Sequence, residues 1–543
     1  MSSSSSATGV DVGPDVPPQL SALFLIRFDK KVGYTIAWKR TAVDVSLDGA
    51  VEFKSLPSGL HTVKSDLVYF VHQEYAGLSA YNKGAASAEE RNAEFVSVGI
   101  LVSRAYGRLG RSWLLAARLR SIAAALAQDP SSTAPLEEFW EEQSAPKASG
   151  RAENGQHNTH SRARALSTIV DVTANDQLLP SFHPALSMLK YVEVFGPLVF
   201  RLQQAALLRK RILFVGSPPV RTSCEFVYDL SVLSSIPPHA AEFLSPGTDQ
   251  LLRLPALFSI GVNDIGELER MNDAAKSEDV PMQGWVANTT DEIITMKKQL
   301  YDIVVELPPT YDAPPTQRKW PTMKTSDGAQ IKASQRDWMR FKMLWRELRR
   351  HRQEARDSGV EGEGESEQNG DDDNDQTRLL PTKGHKQDAD DDVDGSIGEQ
   401  TVEPITWSRL AYNGFMWWAS AGEQDAYTSR ERDRDLDLLG DLSDYREGLP
   451  TAIIAYFHRS TTQLISGLNK LIERTDDEEE ENSNEDEEGV LVVDKEDLSR
   501  MGLDTWSEAD KAFLSEFVWM WFGRIVEVRG TSIDCCGVRI PVP

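Results

Sequence analysis

The spacing of apolar residues changes twice within one short segment, residues 284–308 (GWVANTTDEIITMKKQLYDIVVELP). The apolar runs at 284–287 and 301–305 have the length and composition of buried β-strands, and residues 291–298 between them have helical spacing. Strand, helix and strand in this order are typical of a parallel sheet covered by helices. The segment therefore predicts an α/β layer.

The same alternation extends upstream. Residues 211–216 (RILFVG) and 256–262 predict two more strands, with a helix over 221–234 between them. If these strands are parallel, the polar turns that follow them lie at one edge of the sheet, where open α/β sheets bind ligands. We predict a partner-binding surface at this edge, formed by Ser217, Asn263, Asp264, Asn288, Thr289 and Thr290. The alternative is that these residues serve only as turns and helix caps.

The N-terminal part of the chain indicates antiparallel strands. Residues 22–28 (ALFLIRF) predict a buried strand, and residues 35–38 predict its hairpin partner across a turn at Gly33. Further strands are predicted at 51–53, 67–71, 75–81 and 94–102, and a helix at 115–126. This pattern describes an antiparallel lobe closed by a helix.

The formal net charge of −26 is concentrated in two tracts. Residues 361–394 contain 13 acidic and three basic residues, and residues 476–488 contain 10 acidic and no basic residues, so the tracts carry −20 of this charge. Such sequences do not bury enough apolar surface to fold, and we predict disorder over 359–403 and in an acidic loop at 475–489. The rest of the chain is only mildly acidic, which argues against nucleic-acid binding because phosphate neutralisation needs a basic face.

Residues 333–356 predict a basic amphipathic helix with two interpretations. Trp338, Phe341 and Trp345 share its apolar face, and Arg340 and Arg349 flank that face. The helix either packs inside the second lobe or binds a membrane surface or a partner. Downstream, the sequence predicts helices at 405–421, 451–474 and 507–524 and a closing pair of strands at 525–528 and 538–542.

Together these patterns divide the chain into six parts. They are a disordered head (1–19), an N-lobe (20–128), a linker with a short helix near 136–142 (129–178), an α/β C-lobe that includes the basic helix (179–358), a disordered acidic tract (359–403) and a helical C-terminal region (404–543). No secretory signal, disulfide framework or transmembrane segment is recognisable. We therefore expect a cytoplasmic protein, with peripheral attachment to intracellular membranes left open.

Signatures of self-contained catalysis are absent from the sequence. It contains no GxGxxG after a strand, no GxxxxGK[ST], no GxSxG and no protein-kinase set, and none of the nine histidines forms a metal-binding pair. We predict no catalytic residue, no metal site and no cofactor, and leave open whether the protein is an enzyme.

Several segments resemble one family. Residues 51–70 (VEFKSLPSGLHTVKSDLVYF) and 97–101 (SVGIL) resemble the N-terminal part of the LCHN branch of DENN-domain proteins. LLRKRILF at 207–214, ALFSIGVNDI at 256–265 and the segment 284–308 follow in the order and spacing of that branch. The region from 404, with PITWSRLAYNGFMWWASAGEQ, resembles the uncharacterised extension of its fungal members.

The resemblance implies a longin-like N-lobe, an α/β C-lobe and a role in membrane traffic. Many DENN modules are guanine-nucleotide exchange factors that hold a Rab GTPase between their two lobes. Such exchange needs no nucleophile or general base, because it works through differential binding to the nucleotide-free GTPase. The expected function is therefore exchange on, or binding of, a Rab GTPase. The alternatives are a trafficking scaffold without exchange activity and a small-ligand-binding α/β protein.

Overall fold

The computed structural model describes residues 16–29, 31–84, 95–144, 179–274, 283–311, 313, 317–357, 400–405, 409–410, 429–440, 448–482, 490–529, 531–535 and 538–542. Most of the predicted head and linker, and most of the first acidic tract, lie outside these residues.

The N-terminal lobe is an antiparallel sheet, as its sequence predicts. Its elements are β1 (Leu20–Asp29), β2 (Gly33–Thr41), α1 (Val51–Lys54), β3 (Ser65–His72), β4 (Tyr75–Lys83), β5 (Phe95–Ser103), α2 (Ala116–Gln128) and α3 (Ala134–Ser144). The strands lie in the order β3-β4-β5-β1-β2. Helix α2 packs on β4 and β5 and helix α3 on β1, and both bury apolar side chains, such as Leu119 and Phe139.

The predicted strand at 51–53 is wrong, because these residues form the short helix α1. The carboxylate of Glu52 accepts hydrogen bonds from the backbone N–H groups of Gly49 (2.8 Å) and Ala50 (2.9 Å), at the N-terminus of the helix. A helix leaves its first N–H groups without intrahelical partners, so this local capping favours the helical turn. The alternating pattern of Val51, Glu52 and Phe53 alone does not separate the two structures.

The second lobe is the predicted α/β layer. Its elements are α4 (Met188–Phe195), α5 (Leu198–Leu207), β6 (Ile212–Val215), α6 (Arg221–Leu233), α7 (Pro238–Ala241), β7 (Ala256–Ser259), α8 (Ile265–Ala274), β8 (Val286–Thr289), α9 (Glu292–Met296), β9 (Ile303–Glu306), β10 (Thr322–Thr325) and β11 (Gln330–Ile331). The strand order is β11-β10-β9-β6-β8-β7, and the last four strands are parallel. Helices cover both faces, so the core lies on each side of the sheet.

The two lobes share one continuous sheet of 11 strands. Strand β7 of the second lobe pairs antiparallel with β3 of the first at Phe258 and Phe70. Asp66 on β3 also accepts hydrogen bonds from the N–H groups of Val220 (2.6 Å) and Arg221 (3.2 Å), at the N-terminus of α6. Burial raises the pKa of Asp66 to about 7, and these N–H donors oppose the rise. A side chain of one lobe thus caps a helix of the other.

Helix α6 is the central element of the molecule, with all but its first two residues buried. Its last turn receives donors from three parts of the chain. Arg108 donates to the carbonyl of Ser231 at 2.9 Å, Arg209 to that of Ser234 at 3.3 Å, and His458 to that of Val232 at 3.1 Å. Hydrogen-bond donors at a helix C-terminus are favourable because the last carbonyls of a helix have no intrahelical partner.

The C-terminal region packs on helices of the second lobe. Its elements, with the preceding basic helix, are α10 (Gln335–Asp357), α11 (Ser429–Leu439), α12 (Leu449–Asn482), β12 (Val490–Val493), α13 (Lys495–Arg500), α14 (Glu508–Phe522), β13 (Ile525–Val528), β14 (Thr531–Cys535) and β15 (Val538–Val542). Helix α12 contacts α4, α6 and α7. Its second half joins α14 and β12 in a separate apolar core around Leu468, Leu491 and Trp521.

Two predictions for this region need correction. The strands at 525–528 and 538–542 do not pair with each other, because β13 pairs in parallel with β12 and β15 pairs with β14. The acidic loop predicted at 475–489 begins as helix, since α12 continues to Asn482. Asp476 forms an ion pair with Arg524 at 2.7 Å, which links this helical end to the rest of the region. The predicted helix at 405–421 lies almost wholly outside the described residues.

The basic helix α10 is packed inside the molecule. Trp338, Phe341 and Arg340 are buried, and Arg340, only 5% exposed, donates to the carbonyl of Gly502 at 3.2 Å. The guanidinium of Arg340 also lies 4.4 Å from the ring centroid of Phe200. These three residues therefore do not form an exposed membrane- or partner-binding face, because all three are buried and Arg340 is bound by the C-terminal region of the same chain. Trp345 is partly buried, and exposed Arg349 lies over its ring at 5.2 Å.

A buried network of ions joins α5, α10 and α14. Arg201 on α5 pairs with Asp510 on α14 at 2.6 Å and with Asp337 on α10 at 3.3 Å. All three side chains are almost completely buried. Burial raises the pKa of Asp337 to about 6, and the nearby guanidinium of Arg201 opposes the rise. The network fixes the C-terminal region to the second lobe.

Candidate functional site

The strand ends on which the binding surface was predicted lie together at one edge of the sheet. Strands β6, β8 and β7 are neighbours and run parallel, with Val215 opposite Thr289 and Ser259 opposite Asn288. The segments that follow them, which contain Ser217, Thr290 and Asn263, therefore emerge side by side.

Not every predicted residue is accessible at this edge. Ser217 and Asn263 are exposed and Thr290 is half-buried. Asn288 and Thr289 are instead the last two residues of β8 and are buried, because the strand includes the first two residues of the predicted turn. The amide nitrogen of Asn288 donates to the hydroxyl of Ser223 on α6 at 2.5 Å, so this side chain serves packing between strand and helix.

Asp264 is also committed to an internal contact. It is buried and forms an ion pair of 2.8 Å with Lys54 on α1 of the other lobe. The same ammonium group donates to the carbonyl of Val71 at 2.9 Å and to the carboxylate of Glu267 at 3.3 Å. Lys54 thus ties α1 to the 3-10 turn Val262–Asp264 and to the start of α8.

Beside this ion pair the two lobes leave an open cleft of about 120 Å³, which we call the interlobe groove. Tyr34, Phe53 and Leu56 form its N-lobe wall, and Ile260, Val262 and Asn263 form its C-lobe wall. Pro57, Ser58, Ser259, Gly261, Lys54 and Asp291 complete the lining. Of the six predicted edge residues, only Asn263 lines this groove.

The N-lobe wall is an aromatic cluster. The ring centroid of Tyr34 lies 6.3 Å from that of Phe53, 5.9 Å from that of Phe28 and 5.8 Å from that of Phe95. Phe53 is nevertheless 38% exposed and Tyr34 37% exposed, because the rings contact each other on one side and face the groove on the other. Val262 at 41% and Ile293 at 54% add exposed apolar surface on the opposite lobe.

Sequence reasoning missed the N-lobe half of this site. One signal was present, since Val32 and Tyr34 flank Gly33 in a hairpin turn, where polar residues are the rule. Their exposure could have indicated a contact surface. Phe53 carried no such signal, because its accessibility depends on how α1 meets the second lobe.

Among the residues that the structure describes, no group of three or more His, Cys, Asp or Glu side chains is arranged to hold a metal ion. None of the helices in the described ranges is long and apolar enough to cross a membrane. The lining of the groove combines apolar side chains with the carboxylate of Asp291 and the ammonium group of Lys54.

A sheet shared by an antiparallel lobe and an α/β lobe, with a groove between them, is the architecture of a DENN-type module. Residues 23–316 match the family model described as DENN domain-containing protein 11, and residues 402–541 match a domain of unknown function, DUF4484. The chain therefore belongs to the DENN domain-containing protein 11 family, with a C-terminal extension.

Individual relatives match different shares of the chain. The DENN domain-containing protein 11 of Danio rerio is 34% identical over 53% of this chain and 54% of its own length, and that of Xenopus laevis is 30% identical over 53% and 59%. The chain thus spans little more than half the length of these vertebrate relatives. A Saccharomyces cerevisiae protein, Uncharacterized protein ANR2, is 22% identical over 96% of this chain and 94% of its own length.

The ion pair between Lys54 and Asp264, which joins the two lobes beside the groove, gives a stability prediction. A Lys54→Met variant leaves the buried carboxylate of Asp264 without a cation, and we expect a loss of about 3 kcal/mol in unfolding free energy. Chemical denaturation measures this loss. Lys297→Met, which removes the partly exposed pair with Glu269, is the control and should cost less than about 1 kcal/mol. Equal effects of the two variants would contradict the assigned role of Lys54.

Proposed function

We propose that this protein regulates membrane traffic by binding a Rab-family GTPase in the interlobe groove and accelerating its nucleotide exchange. The observation that carries the proposal is the groove itself, built from both lobes and lined by exposed aromatic and aliphatic side chains on a chain of the DENN domain-containing protein 11 family. Exposed apolar surface concentrated in one concave place is typical of an interaction site.

Exchange would follow from differential binding. A factor that binds the nucleotide-free GTPase more tightly than the loaded form lowers the affinity for nucleotide. An acceleration of roughly 1,000-fold corresponds to about 4 kcal/mol, which a few buried apolar contacts can supply. No proton transfer or covalent step is required of the groove residues.

The size of the groove bears on the small-ligand alternative. Pockets that enclose cofactors and similar ligands usually measure about 300–1,000 Å³. The groove measures about 120 Å³. It is therefore better suited to one side chain of a protein partner than to a whole metabolite.

The test is GDP release from a panel of purified Rab GTPases, together with capture of each Rab in its nucleotide-free form. We expect at least one Rab to bind more tightly without nucleotide and to release GDP faster. A Phe53→Ala variant should weaken that capture by about 10-fold or more, because an aromatic side chain at the centre of an interface is commonly a hot spot.

Phe243→Ala is the matched control for this variant. Phe243 is 41% exposed, like Phe53 at 38%, but it lies just after α7 and does not line the groove. It should leave capture unchanged. Binding without faster GDP release would point to a scaffold. If no Rab binds this protein more tightly in its nucleotide-free form than in its loaded form, the proposal is refuted.

A further inference from the structure

The C-lobe wall of the interlobe groove carries more negative than positive charge. Three carboxylates lie on or next to it, those of Asp264, Glu267 and Asp291, and Glu292 follows Asp291 in the chain. Within the described residues, the cation that forms ion pairs with this set is Lys54. Lys54 is already engaged by Asp264 at 2.8 Å, Glu267 at 3.3 Å and the carbonyl of Val71 at 2.9 Å. The charge of Lys54 therefore neutralises that of the buried Asp264, and the remaining carboxylates make this rim of the groove acidic.

Asp291 is the carboxylate that faces the groove. Its Oδ2 accepts a hydrogen bond from the N–H of Val262 at 3.2 Å, which holds the side chain beside the C-lobe wall. Tyr34 and Asp291 line opposite walls of the cleft. Burial, and after it the charge of Asp291, raises the pKa of Tyr34. No cation from the described residues forms an ion pair with Asp291. Its second oxygen is thus placed to accept a donor from outside the molecule.

The cleft between these walls has the size of one side chain. A cavity of roughly 150 Å³ with apolar walls holds a benzene molecule, and the groove measures about 120 Å³. Phe53, Leu56, Ile260 and Val262 supply apolar contacts. An aliphatic or aromatic side chain can therefore enter, and its neighbours in sequence pass the acidic rim.

We propose that the groove binds a segment of a partner protein in which a large apolar side chain enters the cleft and an adjacent Lys or Arg pairs with Asp291. This inference rests on the proposed function for the location of the partner surface and adds the chemistry that the surface selects. Charge complementarity at a partly buried carboxylate gives specificity, and an acidic partner is disfavoured by like-charge repulsion.

The test uses a random library of 12-residue peptides displayed on phage and panned on the full chain. We expect enrichment of peptides in which Leu, Ile, Met or Phe stands beside Lys or Arg. Synthetic versions of the enriched peptides are then titrated by fluorescence polarisation against the wild type and variants. Asp291→Asn should weaken binding about 3- to 10-fold and reduce its salt dependence, and Phe53→Ala should weaken it without changing the salt dependence.

Two controls separate charge at this site from charge in general. Asp249→Asn removes an exposed carboxylate outside the groove, and Phe243→Ala removes an exposed ring outside it. Neither should change peptide binding. Enrichment of acidic peptides, or an Asp291→Asn variant that binds with unchanged affinity and salt dependence, would overturn the inference.

The same variants distinguish this inference from the proposed function. If a Rab is captured and Phe53→Ala weakens capture while Asp291→Asn does not, the GTPase proposal stands and the basic partner group is wrong. If no Rab binds but basic apolar peptides bind as expected, the partner class is wrong and the chemistry of the groove stands.

Discussion

An Arg201→Met variant is expected to lose about 3–5 kcal/mol of stability. Arg201 is the cation shared by Asp510 and Asp337, at 2.6 and 3.3 Å, and both carboxylates are buried. Methionine keeps much of the side-chain volume but leaves two buried negative charges without their main partner, which is costly in a medium of low polarity. The melting temperature should fall by at least about 5 °C.

An exposed arginine is the control for this prediction. Arg118 lies 3.9 Å from both Glu138 and Glu142 at the protein surface, and Arg118→Met should change stability by less than about 1 kcal/mol. Limited proteolysis gives a second measurement, because loss of the network should release the C-terminal region before the two lobes unfold. An Arg201→Met protein as stable as the wild type would show that the network contributes nothing to attachment of that region.

A Gly284→Ala variant is expected to fold poorly or not at all. A Cβ at this buried position would lie 1.8 Å from the carbonyl oxygen of Arg209 and 2.7 Å from that of Lys210. Both obstacles are backbone atoms, so no change of side-chain rotamer relieves the overlap, and the strand pairing of β6 with β8 must shift. We expect a loss of more than about 3 kcal/mol, measured by denaturation or by loss of soluble protein.

Gly266 provides the matched substitution. It lies in α8, and a Cβ there would meet nothing within 4 Å. Gly266→Ala should leave stability unchanged or raise it by about 0.5–1 kcal/mol, because alanine favours the helix. Similar behaviour of the two variants would contradict the close approach of β8 to the segment before β6.

Local pattern was sufficient for much of the fold. The hydrophobic period is a property of the local sequence and does not depend on the rest of the chain. It was sufficient to recognise the apolar runs at 22–28 and 211–216 and the alternation of strand and helix around 284–308. The parallel layer followed from the order strand, helix, strand, because parallel neighbours need a long crossover connection that is usually a helix. The order of lobes was therefore predictable without tertiary information.

Pairings between distant segments were not predictable. The sequence suggested that 525–528 and 538–542 pair, since they are neighbours, whereas β13 pairs with β12 more than 30 residues upstream. Arg340 looks like a solvated flank of α10, and contacts with other segments, such as those with Gly502, Ser460 and Phe200, make it a buried residue. Burial of a long cationic side chain depends on such partners and leaves no local signature.

The candidate site, like the fold, could be predicted from the sequence only in part. The predicted strand ends placed Asn263 at the edge of the sheet where the groove lies. The pattern could not show that Asp264 would be paired with Lys54 or that Asn288 would be packed against α6. The aromatic wall arises where two separately predicted lobes meet. Its exposure is a property of the assembled molecule.

The continuous sheet also affects how fast a partner would bind. Because β3 and β7 are hydrogen-bonded and Asp66 caps α6 across the same junction, the walls of the groove cannot separate without breaking these contacts. A partner therefore meets a preformed surface and does not wait for an opening step. Its association rate would be set by diffusion and long-range electrostatic attraction, and changes to the apolar walls would shorten the residence time of the complex instead.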